Sequence, residues 1–218
     1  MRNNQAGKVA LAARTVVAAG FGPWRLAFQA CHGAANQKWS ELSRLICLVQ
    51  PLRPKWVLEI GVCSGGTLAL WSRLAHHSAH LIGIDRGINP EAERRIRAAM
   101  SATQTLHLIR RDSHCGYAAQ ELASILMGNP LDFLFIDGDH SYSGVRQDWQ
   151  MYSPFVTAGS LIAFHDIVPD HALRFGIQTE HDAGGVHEFW REIKLSFPHH
   201  EFVEDPSQNG YGIGVITV

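Results

Sequence analysis

From about Pro54 onward, short apolar runs alternate with longer amphipathic stretches. The apolar runs Trp56–Ile60, His80–Ile84, Thr105–Ile109, Asp132–Ile136 and Ser160–Phe164 are bounded by Gly, Pro, Asp or Asn, which predicts strands. The stretches between them, Thr67–His76, Pro90–Met100, Ala118–Met127 and Tyr142–Tyr152, carry helical periodicity. On the last of these Tyr142, Val145, Trp149 and Tyr152 fall on one stripe, expected to face the core. Strands alternating with helices predict a doubly wound α/β fold around a mostly parallel sheet, with ligands bound beyond the carboxyl ends of its strands. Near the end of the sequence, the apolar segments His200–Glu204 and Gly212–Val218 flank a turn-rich stretch with Asn209–Gly210. Strands joined so closely pair antiparallel, so a C-terminal hairpin completes an expected seven-stranded sheet.

Residues 1–53 precede the first sheet strand and read as a helical extension or cap, most periodic over Trp39–Val49; residues 54–218 hold the α/β domain. The apolar extension is also an expected surface for self-association into a homo-oligomer. Between Val168 and Val186 periodicity is lost, which predicts a lid or substrate loop, and a helix resumes at Gly185–Lys194.

Composition narrows the function classes. The 218 residues contain 46% hydrophobic and 18% charged positions with a formal net charge of −1, so no general attraction to nucleic acid or an anionic membrane is expected. The four cysteines form no CxxC pair, which argues against a structural zinc site or a disulfide framework and suits a reduced, cytoplasmic setting. Arg14 interrupts the apolar stretch Val9–Ala19 and no membrane-length run follows, so neither a cleaved signal nor a membrane span is expected. The thirteen histidines are spread along the chain rather than gathered in a tract.

Chemistry concentrates at strand ends. Glu59 and Gly61 close the first strand, and Gly65–Gly66 precede the next helix, where glycines let backbone turn sharply beside a ligand. A dinucleotide fingerprint counted from Gly61 requires glycine at position 63, which is Cys63. The spacing Glu59-x-Gly61-x-x-x-Gly65 instead resembles motif I of class I methyltransferases, whose loop wraps the methionine portion of S-adenosylmethionine. Asp85 ends the second strand, where a carboxylate can accept both hydrogen bonds from a ribose diol. Asp112–Ser113 after the third strand resembles the adenine-contacting position of that superfamily, and reads equally well as a helix cap or Asx turn.

The segment Asp132–Tyr142 delivers Asp137, Asp139 and His140 beyond the fourth strand, and Leu161–Ile167 delivers His165 and Asp166 to the same edge. Two carboxylates with a histidine suit a divalent cation; magnesium is favoured, and the histidine leaves manganese or iron open. Asp139 or Ser141 reads more readily as a cap for the following helix.

Together, FIDGDHSYSGVRQDW and YSPFVTAGSLIAFHDI resemble the methyltransferase group that includes cephalosporin-hydroxylase-like and macrolide-sugar O-methyltransferases, over roughly residues 55 to 195. Ser160 departs from that pattern, which usually carries a second glycine after Gly159. The resemblance implies the class I methyltransferase fold, S-adenosylmethionine held by Glu59, Gly61, Gly65, Asp85, Asp112 and Ser113, and a metal held by Asp137, His165 and Asp166. It implies O-methylation of a small hydroxylated metabolite, such as a sugar or natural product. A cation eases deprotonation of the acceptor hydroxyl, and His140 is the candidate general base alongside Asp137. His140 as a loop-holding residue, His165 as an orienting group, a metal hydrolase and a non-catalytic cofactor-binding partner remain alternative readings.

Overall fold

A computed structural model describes residues 22–179 and 182–218. The Val9–Ala19 reading, the rest of residues 1–21 and loop residue His181 lie outside the described residues. The elements run α1 (Gly22–Gly33), α2 (Trp39–Val49), β1 (Trp56–Ile60), α3 (Gly66–Leu74), β2 (His80–Ile84), α4 (Pro90–Ala99), β3 (Thr105–Ile109) and α5 (Gly116–Leu126). They continue with β4 (Leu131–Ile136), α6 (Tyr142–Tyr152), β5 (Val156–His165), α7 (His171–Phe175), α8 (Val186–Ile193), β6 (His199–Phe202) and β7 (Ile213–Thr217), with short 3₁₀ turns between some of them.

The seven strands form one sheet in the order β3-β2-β1-β4-β5-β7-β6. β1 to β5 pair in parallel, whereas β7 lies antiparallel to both β5 and β6. The expected mostly parallel sheet with its C-terminal antiparallel hairpin is therefore present. Side chains alternate across it with period two. Val57, Phe133, Phe135, Leu161 and Ala163 pack under α2, α3 and α4. Leu58, Leu134, Ile136, Ile162 and Phe164 pack against α5, α6 and α8. Both faces are covered, which is why these strands read as continuous apolar runs rather than alternating ones. On α6 the expected core stripe holds: Val145 and Tyr152 are buried, with Tyr142 and Trp149 packed against the same cluster.

Helices α1 and α2 lie against the same core as α3. Glu41 of α2 is 1% exposed, and its carboxylate is satisfied by three donors from the β6–β7 connection. Oε1 accepts from the Glu204 N–H and Gln208 Nε2, and Oε2 from the Gly212 N–H, at 2.8 to 3.1 Å. A buried carboxylate is tolerated because each donor replaces lost hydration. No described helix is long and apolar enough to cross a membrane.

Candidate active site

A cavity of about 1020 Å³ opens at the carboxyl ends of β1, β2, β4 and β5, where strand order reverses between β1 and β4. Such a switch point leaves a crevice because successive crossovers leave it in opposite directions. The volume lies at the upper end for small-ligand sites, so donor and acceptor molecules can share it.

Gly61 forms the seam of this crevice. Its φ is +89°, and a Cβ built there would lie 1.9 Å from the Asp137 carbonyl oxygen, so only glycine lets β1 and β4 close this tightly. Gly61, Asp85, Asp112 and Ser113 line the cavity. Asp85 already staples its surroundings: Oδ2 accepts the Cys63 N–H at 2.8 Å and Oδ1 the Gly87 N–H at 2.7 Å. Each carboxylate oxygen keeps a second lone pair for a ligand hydroxyl. Asp112 forms the Asx turn, accepting the His114 N–H at 2.9 Å, while the Ser113 carbonyl accepts the Tyr152 hydroxyl.

Glu59 and Gly65 are not brought to the wall of this cavity. The Glu59 side chain points into the layer between β1 and α3, where Thr67 Oγ1 donates to Oε1 at 2.6 Å. Burial holds its carboxyl well above the ordinary range, against the hydrogen bond from Thr67. Gly65 has φ +75° and starts α3, and a Cβ there would crowd Ala92 and Ile96 of α4 at 3.0 to 3.1 Å. Both residues shape the loop from behind.

The other half of the cavity gathers Asp137, His140, His165 and Asp166. Asp166 sits at φ +61°, an uncommon conformation for a carboxylate residue, and the Tyr211 N–H donates to its Oδ1 at 3.0 Å. Backbone strain of this kind costs about 1–3 kcal/mol and collects at functional sites. His165 Nδ1 stands between the acids, 3.1 Å from Asp137 Oδ1 and 3.2 Å from Asp166 Oδ2. Although burial opposes it, the two carboxylates hold the His165 imidazole well above its usual pKa, and His165 in turn keeps Asp137 ionised against its own burial. The His165 Nε2 is buried without a partner.

His140 faces the same pair from the loop after β4. Nδ1 donates to the Asp182 carbonyl at 2.7 Å, which leaves Nε2 turned to Asp137 Oδ1 at 3.6 Å. Contact with Asp137 pushes its pKa up to about 9, and burial only partly opposes this. With the acids uncompensated, the ring is therefore protonated at neutral pH. Ser141 caps α6 by accepting the Gly144 N–H, while Asp139 accepts the Ser141 N–H in an Asx turn just before the helix.

One ligand-capable atom each from Asp137, His140 and Asp166 lies within 4.8 Å of the others. Two hard oxygens and an imidazole suit a divalent cation, whose charge would compensate two acids held side by side. Sequence reasoning assigned the imidazole donor to His165; here His140 joins the cluster, while His165 Nδ1 is engaged between the acids. It also missed Gln37, which reaches Asp137 from the α1–α2 connection, and Asp148, buried on α6 beside His114. Position 37 carries no periodic or motif signal, whereas a charged residue inside the α6 pattern was a visible one.

Over the cavity, the loop after β5 contains α7, capped by Asp170 Oδ1 accepting the Leu173 N–H. His171 N–H donates to Asn209 Oδ1 at 2.7 Å and Arg174 Nη2 to the Pro206 carbonyl at 2.8 Å, pinning the loop to the β6–β7 connection. Leu173 lines the cavity from this lid.

A family model described as a methyltransferase domain matches residues 58–167, the span from β1 to the start of the lid. An uncharacterized protein of Acanthamoeba polyphaga mimivirus is 30% identical over 117 residues, covering 50% of this chain and 50% of that protein. The chain thus spans about half the length of that curated relative. Among solved structures, the O-methyltransferase TomG from Streptomyces achromogenes, involved in tomaymycin synthesis and determined with S-adenosylmethionine, aligns with a TM-score of 0.60. Its identity is 18%, over 90% of this chain and 89% of that one. An O-methyltransferase from Bacillus cereus, determined with S-adenosylhomocysteine, aligns at 0.59 with 14% identity, over 98% of this chain and all of that one.

Proposed function

Because the chain belongs to the methyltransferase-domain family, we propose that it is an S-adenosylmethionine-dependent, divalent-metal-assisted O-methyltransferase acting on a small hydroxylated metabolite, a sugar or natural product, in the cytoplasm. The supporting observation is the joining, in one cavity, of Asp85, Asp112 and Ser113 with the cluster Asp137, His140 and Asp166. The O-methyltransferase fold shared with TomG and the Bacillus cereus protein supports the same reading.

In this reading Asp85 accepts hydrogen bonds from the ribose hydroxyls, and the Asp112–Ser113 turn borders the adenine. Gly61 keeps backbone close to the methionine portion, with Glu59 and Gly65 supporting the loop. When bound, S-adenosylmethionine would supply an electrophilic methyl group, and a divalent cation, for which magnesium is the first candidate, would lower the pKa of a neighbouring hydroxyl. Asp137 and Asp166 would hold that cation, and His165 fixes the spacing of their carboxylates. His140 takes the acceptor proton at Nε2, the nitrogen left open by its Nδ1 bond to Asp182, once the field of the two acids is compensated. Leu173 of the lid offers an apolar contact on the acceptor side.

Calorimetric titration of the purified protein with S-adenosylmethionine tests the premise. Binding is the expected result, and none at millimolar concentration would sink the proposal.

A further inference from the structure

Gln37 lies in the short connection between α1 and α2, outside the sheet, yet its side chain ends among the strand-end acids. It is 7% exposed. Its Nε2 donates to Asp137 Oδ2 at 2.7 Å. Asp137 Oδ1 is met from the opposite side by His165 Nδ1 at 3.1 Å. One carboxylate is thus clamped between an imidazole from β5 and an amide from the N-terminal segment, which leaves it little freedom to rotate. The Gln37 Oε1 is buried without a partner, an oxygen acceptor left open where Gln37 borders the cavity.

Neighbouring residues hold the segment in place. Lys38 Nζ bonds Glu204 Oε2 at 3.0 Å and Gln208 Oε1 at 3.2 Å, and one turn later Glu41 is latched to the same β6–β7 connection. The amide is therefore presented from a fixed backbone.

We propose that Gln37 is a positioning residue of the cation site: by fixing the orientation of the Asp137 carboxylate, it sets how tightly that site takes a divalent cation. This rests on the metal-assisted reading above. Hydrogen-bond partners of ligating groups act in this way because a ligand already aimed at its ion loses less freedom on binding. It also gives the segment before β1 a part in the chemistry.

The test is calorimetric titration of the full chain with manganese chloride and magnesium chloride, and in parallel with S-adenosylmethionine, for the wild type, Gln37→Leu and Gln37→Glu. Gln37→Leu is expected to weaken cation binding about 10-fold or more while cofactor affinity stays at the wild-type value. Gln37→Glu sets a carboxylate against Asp137, so its melting midpoint in chelator should fall and then rise on adding manganese by more than the wild type's does. Equal cation affinity in wild type and Gln37→Leu overturns the inference and leaves the metal reading intact. A wild type that binds S-adenosylmethionine but no cation removes the metal reading and this inference with it. Equal loss of cation and cofactor binding reduces Gln37 to a packing residue, which also overturns it. Should Gln37→Leu fail to fold, the manganese response of Gln37→Glu decides: a rise no larger than the wild type's rejects the role.

Discussion

The two halves of the cavity are built on opposite principles. At the ends of β1, β2 and β3, carboxylates are satisfied by backbone N–H groups: Asp85 by Cys63 and Gly87, Asp112 by His114. At the ends of β4 and β5, side chains answer one another: Asp137 and Asp166 raise the proton affinity of His140 and His165, and the two imidazoles lower that of Asp137. A wall whose carboxylates are fixed by backbone donors is rigid, which suits holding a ligand's hydroxyl groups in one place. A wall of mutually dependent ionisable groups responds to any charge placed within it, as moving a proton requires.

If this division holds, substitutions should separate cleanly. The largest effect is expected from Asp166→Asn, which removes one of the two carboxylates: calorimetric heat with manganese should vanish while S-adenosylmethionine still binds. Loss of both would merge the halves. Gly61→Ala strikes the seam, where the added methyl meets the Asp137 carbonyl at a positive φ, and should cost about 3–5 kcal/mol. In thermal melts this amounts to a fall of roughly 10 °C. Asp85→Ala should weaken cofactor binding by about 1.5–3 kcal/mol, roughly 10- to 100-fold, and leave manganese affinity alone.

His140→Gln sharpens the roles within the reactive half. A base can be lost without disturbing the cation, so manganese affinity should stay near that of the wild type; a large drop would make the ring a ligand instead. The smallest effect concerns a buried acid beneath the quieter half. Burial raises the Asp148 carboxyl from 3.8 to about 6, so the unfolded chain ionises before the folded one. Its charge therefore burdens the folded state above about pH 6 and is relieved as pH falls towards 4. Urea midpoints of wild type and Asp148→Asn should converge between pH 7 and pH 5, with the variant the more stable at pH 7; parallel curves would reject this.

The contrast also explains what could be read in advance. β1 and β2 are short buried runs and β3 a half-buried edge strand, all between clear breakers, and their ends match the residues expected. β5 begins at Val156 rather than Ser160 because Gly159, which reads as punctuation, is carried inside the strand at φ +88°, with a register shift against β4. α7 was hidden in an aperiodic loop, since five residues capped by Asp170 are too few to show a period. Asp85, Asp137 and Asp166 were legible because strand ends point ligands at a switch point. Which imidazole stands between the acids and which faces the cavity is decided by side-chain rotation and by the Asp182 carbonyl, from a loop remote in sequence. Gln37 was illegible for the same reason: its partner lies 100 residues away.

The latch at Glu41 bears on how the protein is made. Its carboxylate finds its third donor only at Gly212, 171 residues further along. During synthesis α2 can form early, but the acid it must bury has no lasting partner until the β6–β7 connection has been translated. Until then the carboxylate must stay hydrated and α2 cannot settle fully onto the sheet, so the wall that Gln37 contributes is set only after β7 has entered between β5 and β6. A nascent chain halted before Gly212 should thus lack both β7 and the Glu41 latch, and with them a finished Gln37 wall.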